Sequence, residues 1–225
     1  MKFSGVNLAY GERTILKNID VSLSRWDFVF LIWSSGSWKT TFIRGMIGAF
    51  SPKSGKILDV EGRDIYKLRS HELLSYRRNI GVIFQDFKLL PRKTVRENVA
   101  FAMEVCGYDN PTILKRVPEV LAQVWLLTKK DKFIESLSGG ELQRTAIARA
   151  LIHDPDIIIG DEPTGNLDPK NAEEIISLLE KLHKQGKTII ISTHDDRLVN
   201  SMKKRVITFA NGGILSDSPV WTYNV

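Results

Sequence analysis

The passage Phe28 to Thr41, FVFLIWSSGSWKTT, limits the fold more than any other stretch of the chain. Phe28 to Ile32 is a run of large apolar residues, short and dense enough for a strand buried on both faces. A phosphate-binding loop should follow it. The loop template G-x-x-x-x-G-K-[ST] uses glycines so that backbone N–H groups can curl round a phosphate, a lysine for the outer phosphates and a hydroxyl for Mg²⁺. Ser35, Gly36, Ser37, Lys39 and Thr40 stand in place, with Thr41 behind them, but Trp33 and Trp38 occupy the two template glycines. Taken alone, the passage also reads as a strand running into a polar turn and a helix.

The rest of the chain repeats the alternation of strand and helix. Lys2 to Tyr10 and Thr14 to Leu23 are extended stretches around Gly11, and Thr40 to Ile47 is a helix whose N-terminus attracts anions. Gly55 to Val60 and Asn79 to Phe84 are further strands, the second ending at Gln85. From Thr94 to Thr128 the apolar residues recur at helical spacing, with a turn at Gly107 to Pro111, which marks an inserted helical layer. Glu141 to Ile152 is helical, Asp156 to Ile159 a buried strand closed by Gly160, Asp161 and Glu162. Ala172 to His183 is an amphipathic helix, and Lys187 to Ser192 a strand ending in Thr193 and His194. The tail from Lys204 is extended. Strands alternating with helices, with polar residues at the strand ends, describe a parallel α/β sheet whose site lies along that edge.

Composition removes several classes. No apolar run approaches the roughly 18 residues that span a bilayer, and the start MKFSGVNLAY lacks the pattern of a secretory signal. A single cysteine, Cys106, excludes an internal disulfide and a cysteine-built metal site, so the expected compartment is the cytoplasm and the expected role of Cys106 is packing. The net charge of +6 comes from dispersed clusters, Arg77 and Arg78, Lys129 and Lys130, and Lys203 to Arg205, expected on solvated faces. No nucleic-acid module or aromatic stacking pattern accompanies them.

Four strand ends carry the groups that phosphoryl transfer needs. Lys39 and Thr40 can hold phosphate and metal, and Gln85 can reach the metal or the attacking water. Asp161 can bind Mg²⁺, Glu162 can activate the water, and His194 can donate to the γ-phosphate. An acidic pair after a strand can equally be a helix cap, and a lone histidine can simply pack. The segment LSGGELQRTAIARAL, Leu137 to Leu151, narrows the choice, because it resembles the signature of the ATP-binding-cassette (ABC) ATPases. It stands between FQD, Phe84 to Asp86, and IIIGDEPTGNLD, Ile157 to Asp168. The order Tyr10, phosphate loop, Gln85, LSGGE, DEPTGNLD and STHD is that family's order, over nearly the whole chain.

The resemblance implies an α/β fold, a P-loop NTPase ABC cassette with a mostly parallel core sheet, an antiparallel β subdomain and an inserted α-helical subdomain. Residues 1–225 would form one nucleotide-binding domain, with the helical subdomain at about 88–153. It implies ATP and Mg²⁺ as cofactors, Tyr10 stacked on adenine, and Thr40, Gln85 and Asp161 around the metal. Ser138, Gly139 and Gly140, at a helix N-terminus, would form a second anion cradle that closes on ATP held by another copy, with Asp168 on the loop crossing that interface. A homodimer on ATP binding follows, with an integral membrane partner and a place at the cytoplasmic face of the membrane. Within the family, FQDFKLLPRKTVRENVAFAMEV and the GNLD loop resemble the short cassettes of bacterial cell division. Lipoprotein-releasing and macrolide-type exporter ATPases share that loop. A non-hydrolysing adaptor is the alternative if Trp33 and Trp38 are genuine.

The tryptophans form a pattern of their own. Besides Trp33 and Trp38, Trp26 and Trp125 stand where the family has glycine, and Trp221 more loosely so. Glycine makes up about 7% of ordinary sequence, so four random tryptophans all landing on such positions has odds on the order of 10⁻⁵. A non-glycine residue forced into a glycine conformation costs about 1 to 3 kcal/mol, and the indole adds steric block. The expectation is that these are glycines encoded by UGA and misread as tryptophan.

Overall fold

The computed structural model describes residues 1–33 and 38–219. The chain falls into two compact units, Met1–Arg78 with Lys187–Val225, and Asn79–Gly186. In the first, β1 (Lys2–Tyr10) turns at Gly11, whose φ of +56° suits glycine, into β2 (Arg13–Ser22). Next come β3 (Phe28–Trp33), α1 (Lys39–Met46) and β4 (Ser54–Leu58). β1 pairs antiparallel with both β2 and β4, giving the order β2-β1-β4. α1 buries Thr41, Phe42, Ile43, Gly45 and Met46, with Gly45 facing Leu8 and Ile57. α2 (Ser70–Arg78) buries only Tyr76, whose hydroxyl donates to the Met46 carbonyl. With one buried residue it has no apolar stripe, which is why periodicity does not announce it.

The second unit opens with β5 (Ile80–Ile83), followed by α3 (Val95–Glu104), α4 (Asn110–Gln123) and α5 (Gly139–Leu151). β6 (Ile157–Asp161) pairs parallel with β5, and α6 (Pro169–Lys184) closes the unit. All four helices begin on side-chain caps: Thr94 with Glu97, Asp109 with Thr112, Ser138 with Glu141, and Asp168 with Asn171. Such caps satisfy amides that a helix start leaves without intrahelical partners. The helical spacing read across Thr94 to Thr128 thus resolves into α3 and α4, broken at Gly107, φ +76°. α4 ends in a left-handed residue that is not glycine, Trp125, φ +59°.

The chain then returns to the first unit through β7 (Thr188–Ser192), α7 (Asp196–Met202), β8 (Arg205–Ala210) and β9 (Gly213–Ser218). β3 lies between β7 and β8 and is parallel to both, while β9 adds antiparallel to β8. The pairing is mostly parallel, with a separate antiparallel sheet, as the fold class requires. β3 and β7 are buried at almost every residue, the mark of parallel strands covered on both faces. α7 is a short helix that the sequence reading passed over; Asp195 caps it by accepting from the Leu198 amide, 3.1 Å.

Two expectations need correction. Arg205 is not on a solvated face: its guanidinium bonds Asp27 Oδ2 at 2.7 Å and Asp217 Oδ2 at 2.7 Å, tying the turn before β3 to β8 and β9. Cys106 is only half-buried, with Sγ 3.8 Å from His153 Nε2, so it packs at the edge of the helical layer rather than within it.

Candidate nucleotide site

In the first unit the groups gather at the C-terminal ends of β3 and β7. Leu31 pairs with Ser192, so Trp33 and His194, each two residues further on, stand at the same sheet edge. Lys39 and Thr40 open α1, whose first turn holds no acidic residue to oppose an anion. Thr41 is buried behind them, and its Oγ1 lies 3.2 Å from the Tyr10 hydroxyl. The phenol is therefore tethered to the helix expected to hold phosphate, and its ring is tilted on Phe50 at 4.6 Å, while the residue stays 47% exposed. Ser35, Gly36 and Ser37 lie outside the described residues, as does Trp221. His194 is exposed, between buried Thr193 and the cap Asp195.

The loop tryptophans do not behave like members of a phosphate cradle. Trp33 stacks on Phe209 at 3.8 Å and meets Phe42 edge-on at 5.8 Å, yet its buried indole N–H has no hydrogen-bond partner among the described residues. A buried donor left unsatisfied costs about 1 to 3 kcal/mol. Trp38 occupies the N-cap of α1 and makes no side-chain capping bond. Far from the loop, Trp26 sits at φ +66°, 68% exposed, its amide donating to Thr188 Oγ1 at 2.9 Å.

In the second unit Ile83 pairs with Gly160, so Gln85 and Glu162, two residues beyond each, again share a sheet edge. Gln85 is exposed, Asp161 half-buried at the end of its strand, and Glu162 only 7% exposed. Glu162 is also held at φ +48°, an uncommon backbone conformation for a residue with a side chain. Such strain gathers at functional sites. A Cβ at Gly165 would lie 3.3 Å from Glu162 Oε2, so glycine there leaves the carboxylate room.

The Ser138 segment is built for close approach. Ser138 N–H donates to Glu141 Oε2 at 3.0 Å, and Glu141 also pairs with Lys129, whose ammonium pulls its carboxyl below the usual range. Gly140 admits no side chain: a Cβ would come 1.9 Å from Asn171 Oδ1. Gly139 beside it is exposed, leaving backbone N–H groups at the start of α5 for an anion. Asp168 accepts from the side-chain amide of Asn171 at 2.6 Å and from its backbone N–H at 3.1 Å, which hold its carboxyl low. Two residues missed from the sequence take part: Asn166 donates to the Gln85 carbonyl at 3.1 Å, and Arg149 donates to those of Phe87 and Lys88. Asn166 lay in view inside GNLD, but a side chain that bonds backbone leaves no spacing signal. Among the described residues no cluster of three His, Cys, Asp or Glu side chains able to hold a metal forms.

A family model described as ABC transporter matches residues 16–165, and the chain belongs to that family. Its curated relatives include the cell division ATP-binding protein FtsE of Streptococcus pneumoniae, 44% identical over 210 residues, covering 93% of this chain and 91% of that protein. The Bacillus subtilis protein of the same name is 46% identical over 202 residues, 90% of this chain and 88% of that one. Among solved structures, the dimeric ATP-binding cassette MJ0796 in a post-hydrolysis state bound to ADP and Pi aligns with a TM-score of 0.86 at 32% identity, covering 99% of both chains.

Proposed function

We propose that this chain is the ATP-binding and hydrolysing subunit of an FtsE-type cassette complex, in which two copies pair on ATP and act on an integral membrane partner of FtsX type during cell division. It then works at the cytoplasmic face of the membrane; no helix among the described residues is long and apolar enough to cross it. The observation that supports this reading is that one chain carries two helix starts with the residue types expected to hold an anion. One is the Lys39 end of α1 and the other the Ser138 end of α5. A cassette whose relatives carry the name FtsE, and whose structural neighbour is a dimer, has a use for both.

ATP supplies the transferable phosphoryl group, and Mg²⁺ neutralises charge on its oxygens. Lys39 holds the outer phosphates. Thr40, Asp161 and Gln85 hold the metal, directly or through water. Glu162 accepts the proton of the attacking water. His194 donates to the γ-phosphate, and Tyr10 stacks on adenine. Ser138, Gly139 and Gly140 of one copy meet the nucleotide of the other, and Asp168 lies on the loop between them.

We also propose that glycine stands at positions 26, 33, 38, 125 and 221 of the natural protein. The left-handed backbone at Trp26 and Trp125 and the unsatisfied indole of Trp33 support this. UGA at those codons is the expected coding sequence; UGG at codons 33 and 38 would end the idea. Nucleotide-binding calorimetry and light scattering on the tryptophan and glycine forms test the function. Mg²⁺-dependent ATP binding and pairing by the glycine form alone is expected. Glycine-form chains that neither bind ATP nor pair would refute the proposed ATPase.

A further inference from the structure

The segment Gln85 to Lys88 is gripped from two directions, both within the Asn79–Gly186 unit. At its start, the side-chain amide of Asn166 donates to the Gln85 carbonyl at 3.1 Å. At its end, the Arg149 guanidinium spreads over two consecutive carbonyls, Phe87 at 2.7 Å and Lys88 at 2.5 Å. These carbonyls belong to residues in left-handed conformations, Phe87 at φ +58° and Lys88 at φ +49°. Neither residue is glycine, so the loop needs outside support to keep this shape. Burial also pushes the Arg149 pKa down. Among the described residues its guanidinium bonds carbonyls and pairs with no carboxylate, an arrangement that a planar fork of donors can satisfy and a lysine ammonium cannot reproduce.

The two grips come from informative places. Arg149 is on α5, the helix that begins with the Ser138 cradle, and Asn166 lies in the GNLD loop two residues before Asp168. On the function proposed above, both elements face the second copy, whereas Gln85 reaches toward metal and water. We infer that Arg149 and Asn166 are positioning residues that set the Gln85 loop according to whether a second copy is docked, so that pairing is reported to the loop through hydrogen bonds to its backbone. This rests on the proposed ATP-driven pairing. It adds a physical route by which closure of the dimer reaches a catalytic side chain without either residue touching nucleotide.

The test uses the full-length glycine form, with Asn166→Ala and Arg149→Lys as separate variants, followed by amide hydrogen exchange with and without Mg²⁺-ATP. In the parent chain, ATP is expected to protect amides 86–89. In either variant that ATP-dependent gain is lost, while ATP still binds and chains still pair. Coupling of this kind has a size of about 0.5 to 2 kcal/mol, so kcat should fall about 2- to 30-fold with KM for ATP nearly unchanged. A merely structural role would lower protection equally in both nucleotide states and leave the gain intact, which would overturn the inference. Arg149→Lys keeps the charge and most of the volume, and Asn166 is exposed, so at least one variant folds. A parent chain that fails to pair on ATP overturns the function itself; a parent that pairs beside variants that keep the gain overturns only the coupling.

Discussion

The amide of Leu126 donates to the carbonyl of Leu121 at 2.8 Å, reaching back across the end of α4. Beside it Trp125 N–H donates to the Ala122 carbonyl at 3.2 Å. Together they form a helix stop in which the residue between must be left-handed, a place glycine fills far more readily than any other residue. Trp125 fills it here at φ +59° and is 54% exposed, so the residue gains little from packing in return. Trp125→Gly should therefore stabilise the chain by about 1 kcal/mol, in spite of removing the largest side chain. For a chain of this size that is a rise in Tm of about 2 to 4 °C. Thermal unfolding beside Trp125→Ala, which keeps a Cβ at positive φ, isolates the backbone term; a gain from alanine as large as from glycine would show that indole exposure is responsible instead.

Much of this was legible beforehand because buried parallel strands write themselves as apolar runs. Phe28 to Ile32 and Lys187 to Ser192 announced β3 and β7, and the candidate site residues stand just past each strand. α2 and α7 were not legible, since one is held by a single buried tyrosine and the other by the Asp195 cap. The motifs could be read from their resemblance to the family's, but the Asn166 and Arg149 contacts could not. Nor could Arg205: a basic cluster looks solvated until folding brings Asp27 and Asp217 to it across 178 and 12 residues. Glycine positions held by tryptophan could be suspected from motif templates, yet only backbone angles distinguish Trp26 and Trp125 from ordinary surface aromatics.

Acid should loosen the Asn79–Gly186 unit in a definite direction. Glu97, held low by the Thr94 backbone amide, and Asp109, held low by the Thr112 hydroxyl, each cap a helix. Their folded pKa values lie below the ordinary 4.5 and 3.8. The stability they contribute is thus complete above those ordinary values and lost as pH falls through the folded ones. Urea midpoints measured down the acid limb should fall less steeply in a Glu97→Gln, Asp109→Asn variant, which starts less stable at neutral pH. Parallel acid limbs in the two chains would mean that other carboxylates govern the loss.

Tyr10 offers a test of base stacking that leaves the phosphate machinery alone. In the glycine form, Tyr10→Ala should raise the Kd for ATP by an amount matching about 1 to 3 kcal/mol of lost stacking. Tyr10→Phe keeps the ring and removes only the contact with Thr41 Oγ1, so its effect should be about 1 kcal/mol or less. Calorimetry with ATP and with inorganic triphosphate distinguishes the causes. The alanine penalty should vanish for triphosphate, which has no base, and a penalty that persists would assign Tyr10 to the shape of α1.

Glu162 is the residue on which hydrolysis, as distinct from binding, should turn. It is buried, strained at φ +48°, and given room by Gly165, whereas Asp161 before it is half-buried at the strand end. Glu162→Gln keeps the size and hydrogen-bonding reach of the side chain and removes its ability to take a proton from water. In the glycine form this should lower the single-turnover rate about 10²- to 10⁴-fold, the usual worth of a positioned base. ATP affinity should change little, because the carboxylate contributes to the proton transfer and not to holding phosphate. The ATP-bound pair should then accumulate, since the step that would release it is slowed. Rapid-quench turnover and light scattering on the same sample read both consequences. A rate within about threefold of the parent, smaller than any general-base effect, would show that Glu162 is not the base.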